Sequence, residues 1–144
     1  MNSHDPAHFR LRLAEGFFDE AREDVRSQRW RSCVSNAQLA VENAAKPVLG
    51  MLGPIGRTRN PSVFLSEGLQ KGRFPHIVRA QVERLVECAK VLGPAVHVKS
   101  DNGDEETMQT PWELFDEGRA KEAVGLAEQA FGLARQIVER VVYS

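Results

Sequence analysis

Four histidines, two cysteines and one glycine-rich stretch are the places in this 144-residue chain where a reaction could be seated, and their spacing excludes more than it offers. Two histidines four residues apart can share a metal from one helix face. Only His4 and His8 have that spacing, and they straddle Asp5-Pro6, a helix start, so the pair reads as a solvated end rather than a metal site. No Gly-x-Ser-x-Gly elbow and no paired cysteine motif supplies a nucleophile. The stretch Gly50 to Asn60 holds three glycines but lacks the Lys-Ser/Thr ending of a phosphate-cradling loop, which excludes a mononucleotide P-loop. Neither a metal nor a cofactor is expected.

Charge is distributed unevenly although its net value is −1. Between Arg57 and Lys90 seven basic residues stand against three acidic ones, Glu67, Glu83 and Glu87, a surplus of four positive charges. Between Lys99 and Glu117 one lysine faces seven acids, a surplus of six negative charges. Two such blocks can complement each other within a chain or across a dimer, although solvated faces are the commoner outcome. The basic block is too sparse, and too poor in interleaved aromatics, to argue nucleic-acid binding by itself. Cys33 and Cys88 each fall in a helical apolar pattern and read as reduced, buried thiols of a cytosolic protein. Residues 1–144 are expected to form a single domain, large enough to bury a core without disulfides. No segment approaches the ~18 consecutive apolar residues of a membrane span, and no apolar run follows basic residues at the N-terminus, so the expected location is cytoplasmic.

The elements that must position these groups are helical. Asp5 can accept from first-turn amides while Pro6 loses nothing at the first helical position. Phe9, Leu13, Phe17, Ala21 and Val25 then recur every fourth residue, with Ala14 and Phe18 beside them, as one core-facing stripe. Ser27 to Arg29 is a break short enough to force an antiparallel hairpin. The second helix, from Trp30 towards Leu52, is the densest helix-favouring block and the one the chain is built around. Val34, Ala37, Val41, Ala44, Ala45, Val48 and Leu52 form its stripe, and Asn36, Glu42, Asn43 and Lys46 lie at its margin. Pro47 should kink this helix or loosen its last turns.

Asn60-Pro61 repeats the capping logic of Asp5-Pro6 and opens a short helix that ends near Gly72. A fourth helix runs from Pro75 to Leu92, with Arg79 and Glu83 spaced to pair, and Gly93-Pro94 stops it. Ala95 to Phe115 reads as irregular, long enough to suspect function or disorder. Asp116 can cap the last helix, an apolar stripe through Val141 on which Gly118, Gly125 and Gly132 recur every seven residues. An interior glycine costs about 1 kcal/mol relative to alanine. Their repetition points to a second backbone coming close, the plainer alternative being simple tolerance. With no two-residue alternation anywhere, the chain is all-α: an up-and-down antiparallel bundle of four to five helices.

The block Asn36-Ala37-Gln38-Leu39-Ala40-Val41-Glu42-Asn43-Ala44-Ala45-Lys46 resembles the second-helix signature of the HEPN family of small helical-bundle domains. Gly53, Pro54 and Arg57 to Pro61 are similar to the Thr-His-Asn/Asp segment that opens a short helix in such proteins. Asn102 to Glu105, followed by Thr110-Pro111-Trp112-Glu113-Leu114-Phe115, is similar to the Tyr-Gly-Asp-Glu and Pro-Trp-Glu-Leu stretches before the family's last helix. The resemblance implies a bundle that dimerises, binds nucleotides and works beside a small nucleotidyltransferase. Some members are ribonucleases that use an Arg and a His separated by four to six residues. Here only Lys71 and Lys90 stand at that distance from His76 and His97, and lysine lacks the planar fork that clamps a phosphate. Arg59 also replaces the family's His, and Asn102 its Tyr.

The leading reading is therefore a non-catalytic, homodimeric binding module for a nucleotide, an RNA or a partner protein. Its candidate ligand-binding residues are Glu42, Lys46, Arg57, Arg59, Asn60, His97, Gly103, Asp104 and Glu105. Arg57 and Arg59 could hold phosphates, and His97 could titrate near neutrality. The plainer alternative is that Arg59 and Asn60 only shape a helix start, the acidic segment only pairs with the basic block, and Trp112 only plugs the core. Two competing functions are a ribonuclease toxin of a toxin-antitoxin pair, with His97 or His76 as acid or base, and a purely structural partner of a nucleotidyltransferase.

Overall fold

The structure, a computed structural model, describes residues 5–54 and 58–142, so His4 and Arg57 lie outside the described residues. Seven α-helices follow in order: α1 (Pro6–Arg26), α2 (Trp30–Leu49), α3 (Pro61–Gln70), α4 (Arg79–Val91), α5 (Pro94–Asn102), α6 (Pro111–Leu114) and α7 (Glu117–Val142). The only extended pairing among the described residues is an isolated bridge between Asp104 and Gln109. No helix among them is long and apolar enough to cross a membrane.

The expected caps form at both ends of the bundle. The Asp5 carboxylate accepts from the His8 amide at 2.7 Å, and the Asp116 carboxylate accepts from the Arg119 amide at 2.9 Å. Asn60 departs from this pattern: Pro61 begins α3, but the Asn60 side chain makes no backbone cap and instead accepts from the Ser62 hydroxyl at 2.8 Å. The helix α2 runs through Pro47 and only then tightens into a 3-10 turn over Gly50–Leu52. Pro47 sits so near the end that its missing donor costs α2 little of its length.

As the density of its apolar stripe requires, α2 is central and touches α1, α3, α4, α5, α6 and α7. The core between α1, α2 and α7 is rich in alanine: Ala14, Ala21, Ala37, Ala40, Ala44, Ala127, Ala130 and Ala134 are all fully buried in it. Small side chains let helix axes approach closely, so three long helices share one narrow core. Leu65, Val82, Leu85 and Ile137 complete it from α3, α4 and α7.

Four expectations fail. The every-fourth stripe on α1 splits: Leu11, Ala14, Phe18 and Ala21 are buried and Phe17 and Val25 pack against the core from its edge, whereas Phe9 is 43% exposed and Leu13 only half-buried. Glu42 and Asn43 are buried rather than marginal, because α2 is enclosed on more sides than one stripe suggests. Ala95 to Phe115 is not irregular: Pro94 starts α5 as well as stopping α4, and Thr110 and Glu113 form a reciprocal capping box that starts α6. Finally, a Cβ at Gly125 or Gly132 would meet nothing within 4 Å, so no backbone among the described residues comes close there.

Candidate functional site

The described structure gathers its polar side chains at the head of α2. Asp24, near the end of α1, is buried, and its two carboxylate oxygens accept from Arg29 Nε at 3.1 Å and Asn36 Nδ2 at 2.8 Å. This knot ties the α1–α2 connection, where Gln28 adopts a positive φ of 59°. Arg31, a turn further on, reaches across to α5. Its Nε donates to the Ser100 carbonyl at 2.5 Å and its Nη2 to Asp101 Oδ1 at 3.2 Å. The other Asp101 oxygen stands 3.4 Å from His97 Nε2, so one carboxylate bridges a guanidinium and an imidazole. His97 Nδ1 is enclosed without a hydrogen-bond partner among the described residues.

The same Arg31 guanidinium lies 6.0 Å from the centre of the Trp112 ring. Trp112 is 73% exposed, so the plainer alternative in which it only plugs the core does not hold. The reason is the shortness of α6: with Pro111 buried and four residues in the helix, the next position points outward. Arg29, Arg31, Ser32, Trp112 and Phe115 line a cleft of about 320 Å³. A flat aromatic face with two guanidinium groups beside it can stack a planar group and hold an anion attached to it.

The candidate residues named from sequence fall into three places. His97 belongs to the Arg31 cluster. Gly103 and Asp104, just beyond α5, build the turn that leads to α6: Gly103 has φ +76° and a Cβ there would collide with the Gln109 carbonyl, while Asp104 Oδ1 accepts from the Glu106 and Thr107 amides at 2.9 and 3.4 Å. Glu105 is exposed on that turn. Glu42 and Lys46 form a pair at 3.5 Å with both side chains largely buried, the alkyl stem of Lys46 covering apolar surface. Arg59 and Asn60 are exposed at the start of α3, which is anchored to the far end of α2 by Arg73 donating to the Leu52 carbonyl at 2.6 Å. That end lies roughly 28 Å along the helix axis from Arg31. The chosen residues are therefore spread along α2 rather than gathered on one surface.

The basic and acidic blocks do not neutralise each other among the described residues. Arg79 pairs with Glu83 as expected, at 3.3 Å, and Lys71 with Glu67 and Lys90 with Glu87, each within its own stretch. The acidic segment is met instead by Arg31, His97, Lys99 and Lys121. Both cysteines are free and buried. Burial, with a smaller contribution from the Asp24 charge, pushes the Cys33 thiol up to about 12.

Arg31, Asp24 and the exposed face of Trp112 were missed because their roles rest on contacts across the sequence. A partial signal existed: Arg29 and Arg31 flank Trp30 at a helix start, and Thr110 with Glu113 is a capping-box spacing that places Trp112 on a helix's first turn.

An all-helical bundle with a charged, aromatic-edged cleft at one end of its central helix is the class defined by this fold. The chain belongs to the HEPN domain family, whose pattern it matches over residues 7–139. Its fold is similar to that in the crystal structure of TT1696 from Thermus thermophilus, with a TM-score of 0.65 and 16% sequence identity over 94% of this chain and 98% of that one. No curated protein matches the chain.

Proposed function

We propose that this HEPN domain is a non-catalytic binding module for a nucleotide, with the base laid on Trp112 and the phosphates met by Arg29 and Arg31. The observation that carries this reading is the exposed Trp112 ring beside the Arg31 guanidinium at the rim of the cleft. Stacking a base on such a ring stabilises binding by about 1–3 kcal/mol. A cleft of about 320 Å³ suits a single nucleotide rather than a polymer. The acidic turn beside it, with Asp104, Glu105 and Glu106, opposes a long phosphate backbone and so favours a nucleotide over RNA. The homodimer and a nucleotidyltransferase partner complete the proposal, on the strength of the family resemblance. The ribonuclease alternative gains little support from His97, whose Nδ1 is enclosed and whose Nε2 faces Asp101.

Titration with ATP, followed by calorimetry and tryptophan fluorescence, tests this directly. Saturable binding that weakens about tenfold or more in Trp112→Ala, with the helical circular dichroism unchanged, is the expected result. Absence of saturation up to about 1 mM ATP refutes the nucleotide reading.

A further inference from the structure

The connection between α1 and α2 holds a residue type that the fold by itself does not explain. The helix α1 ends in a Schellman turn: the Arg29 amide donates to the Asp24 carbonyl at 2.8 Å and the Gln28 amide to the Val25 carbonyl at 3.1 Å, with Gln28 at φ +59°. The helix α3 ends in the same way. There the Arg73 amide donates to the Gly68 carbonyl at 2.9 Å and the Gly72 amide to the Leu69 carbonyl at 3.1 Å, and the left-handed position belongs to Gly72 at φ +65°. Glycine enters this region freely, whereas any side chain brings its Cβ against a carbonyl oxygen. The same turn, closed by the same pair of hydrogen bonds, therefore has its favoured residue after α3 and a disfavoured one after α1. A side chain kept in a costly backbone conformation points to a task for that side chain.

Gln28 lines the Trp112 cleft, and the other side chains there define what is left for it to do. Arg29 and Arg31 carry donors alone, Trp30 carries one donor, and Phe115 carries no polar atom. Ser32 offers a single rotatable hydroxyl, which suits any base. The Gln28 amide alone among these sets a donor and an acceptor side by side in one plane. Adenine presents the matching edge, with N7 as acceptor beside the N6 amino group as donor. The same edge of guanine presents two acceptors, N7 and O6, and would leave the amide carbonyl facing another oxygen or nitrogen lone pair. Gln28 is exposed, and its side chain makes no hydrogen bond among the described residues. The turn and the adjoining Asp24–Arg29 pair hold its backbone in place.

We propose that Gln28 is the specificity-determining residue of the cleft and that the ligand is an adenine nucleotide, its N7 and N6 met by the Gln28 amide while the ring lies on Trp112. This rests on the nucleotide reading above and narrows it to one base.

Calorimetric titration of the full chain with ATP and with GTP tests the assignment. ATP is expected to bind about tenfold or more tighter than GTP. Gln28→Met keeps the length of the side chain without its amide, and should bring the two nucleotides within about threefold of each other by weakening ATP. Gln28→Gly should do the same while raising Tm by about 3 °C, because it relieves the left-handed backbone. ATP and GTP binding equally to the wild type overturns the adenine assignment and leaves the nucleotide reading standing. A preference for ATP that survives in both variants overturns the role of Gln28. A fall in Tm in Gln28→Gly shows that the fold itself requires the glutamine and overturns the premise. Failure of both nucleotides to saturate overturns the nucleotide reading, and this inference with it.

Discussion

Replacing Gly125 and Gly132 by alanine should stabilise the fold, and the size of the gain follows from their surroundings. Both lie in the interior of α7, and an added Cβ meets no atom within 4 Å at either position. Neither has a positive φ, so alanine enters without backbone strain. What remains is the intrinsic cost of glycine in a helix, about 1 kcal/mol at each site. The sites are seven residues apart, about 10 Å along the axis with no shared neighbour, and their effects should add. The double variant should therefore gain about 2 kcal/mol, which for a domain of this size raises Tm by about 8 °C. Gly118→Ala is the contrast: it lies in the first turn, where helix propensity counts for less, and its Cβ would stand 3.5 Å from the Asp116 oxygen that caps α7. Its gain should be smaller. Scanning calorimetry and urea titration of the three variants measure these differences. A double variant less stable than the wild type refutes the reasoning, because it means that another backbone lies against these glycines in the assembled protein.

Asp24→Ala should destabilise the fold by about 1–2 kcal/mol, since it leaves the half-buried Asn36 amide without its acceptor and frees Arg29 from the α1–α2 connection; urea unfolding at neutral pH checks this, and a loss under about 0.5 kcal/mol would sink it. The Cys33 thiol gives a pH dependence with a definite sign. Its native value is raised from 9.0 to about 12, so the native state holds a proton that the unfolded chain releases. Its contribution to stability is whole below about pH 9 and is lost as pH rises from there towards about 12, at about 1.4 kcal/mol per pH unit. Relative to Cys33→Ala, the wild type should lose its advantage only over that alkaline window, and Cys33 in the native protein should resist iodoacetamide at pH 8.

Local chemistry was enough to determine that this chain is a helical bundle. Asp5-Pro6, Asp116 and the three- and four-residue spacing of apolar side chains act within one helix turn, and the hairpin after Arg26 follows from a connection too short for anything else. The centrality of α2 was equally legible, because a helix apolar over so much of its surface has to be enclosed. Which apolar stripe of α1 faces inward was not. Phe9 and Leu13 satisfy the helical period as well as Leu11, Ala14 and Phe18 do, and only packing against the alanines of α2 and α7 selects the second set. The helix α5 carries no apolar stripe of its own and is held to α2 by Arg31, seventy positions away from Asp101, a contact no local pattern announces. The candidate site follows the same division. The residue types that could bind a nucleotide are written in the sequence, but their assembly is not. Arg31 meets the Trp112 ring, and Arg29 shares its cleft, only because α6 is too short to bury Trp112 and the tertiary contacts of α5 and α6 with α2 bring their segments together.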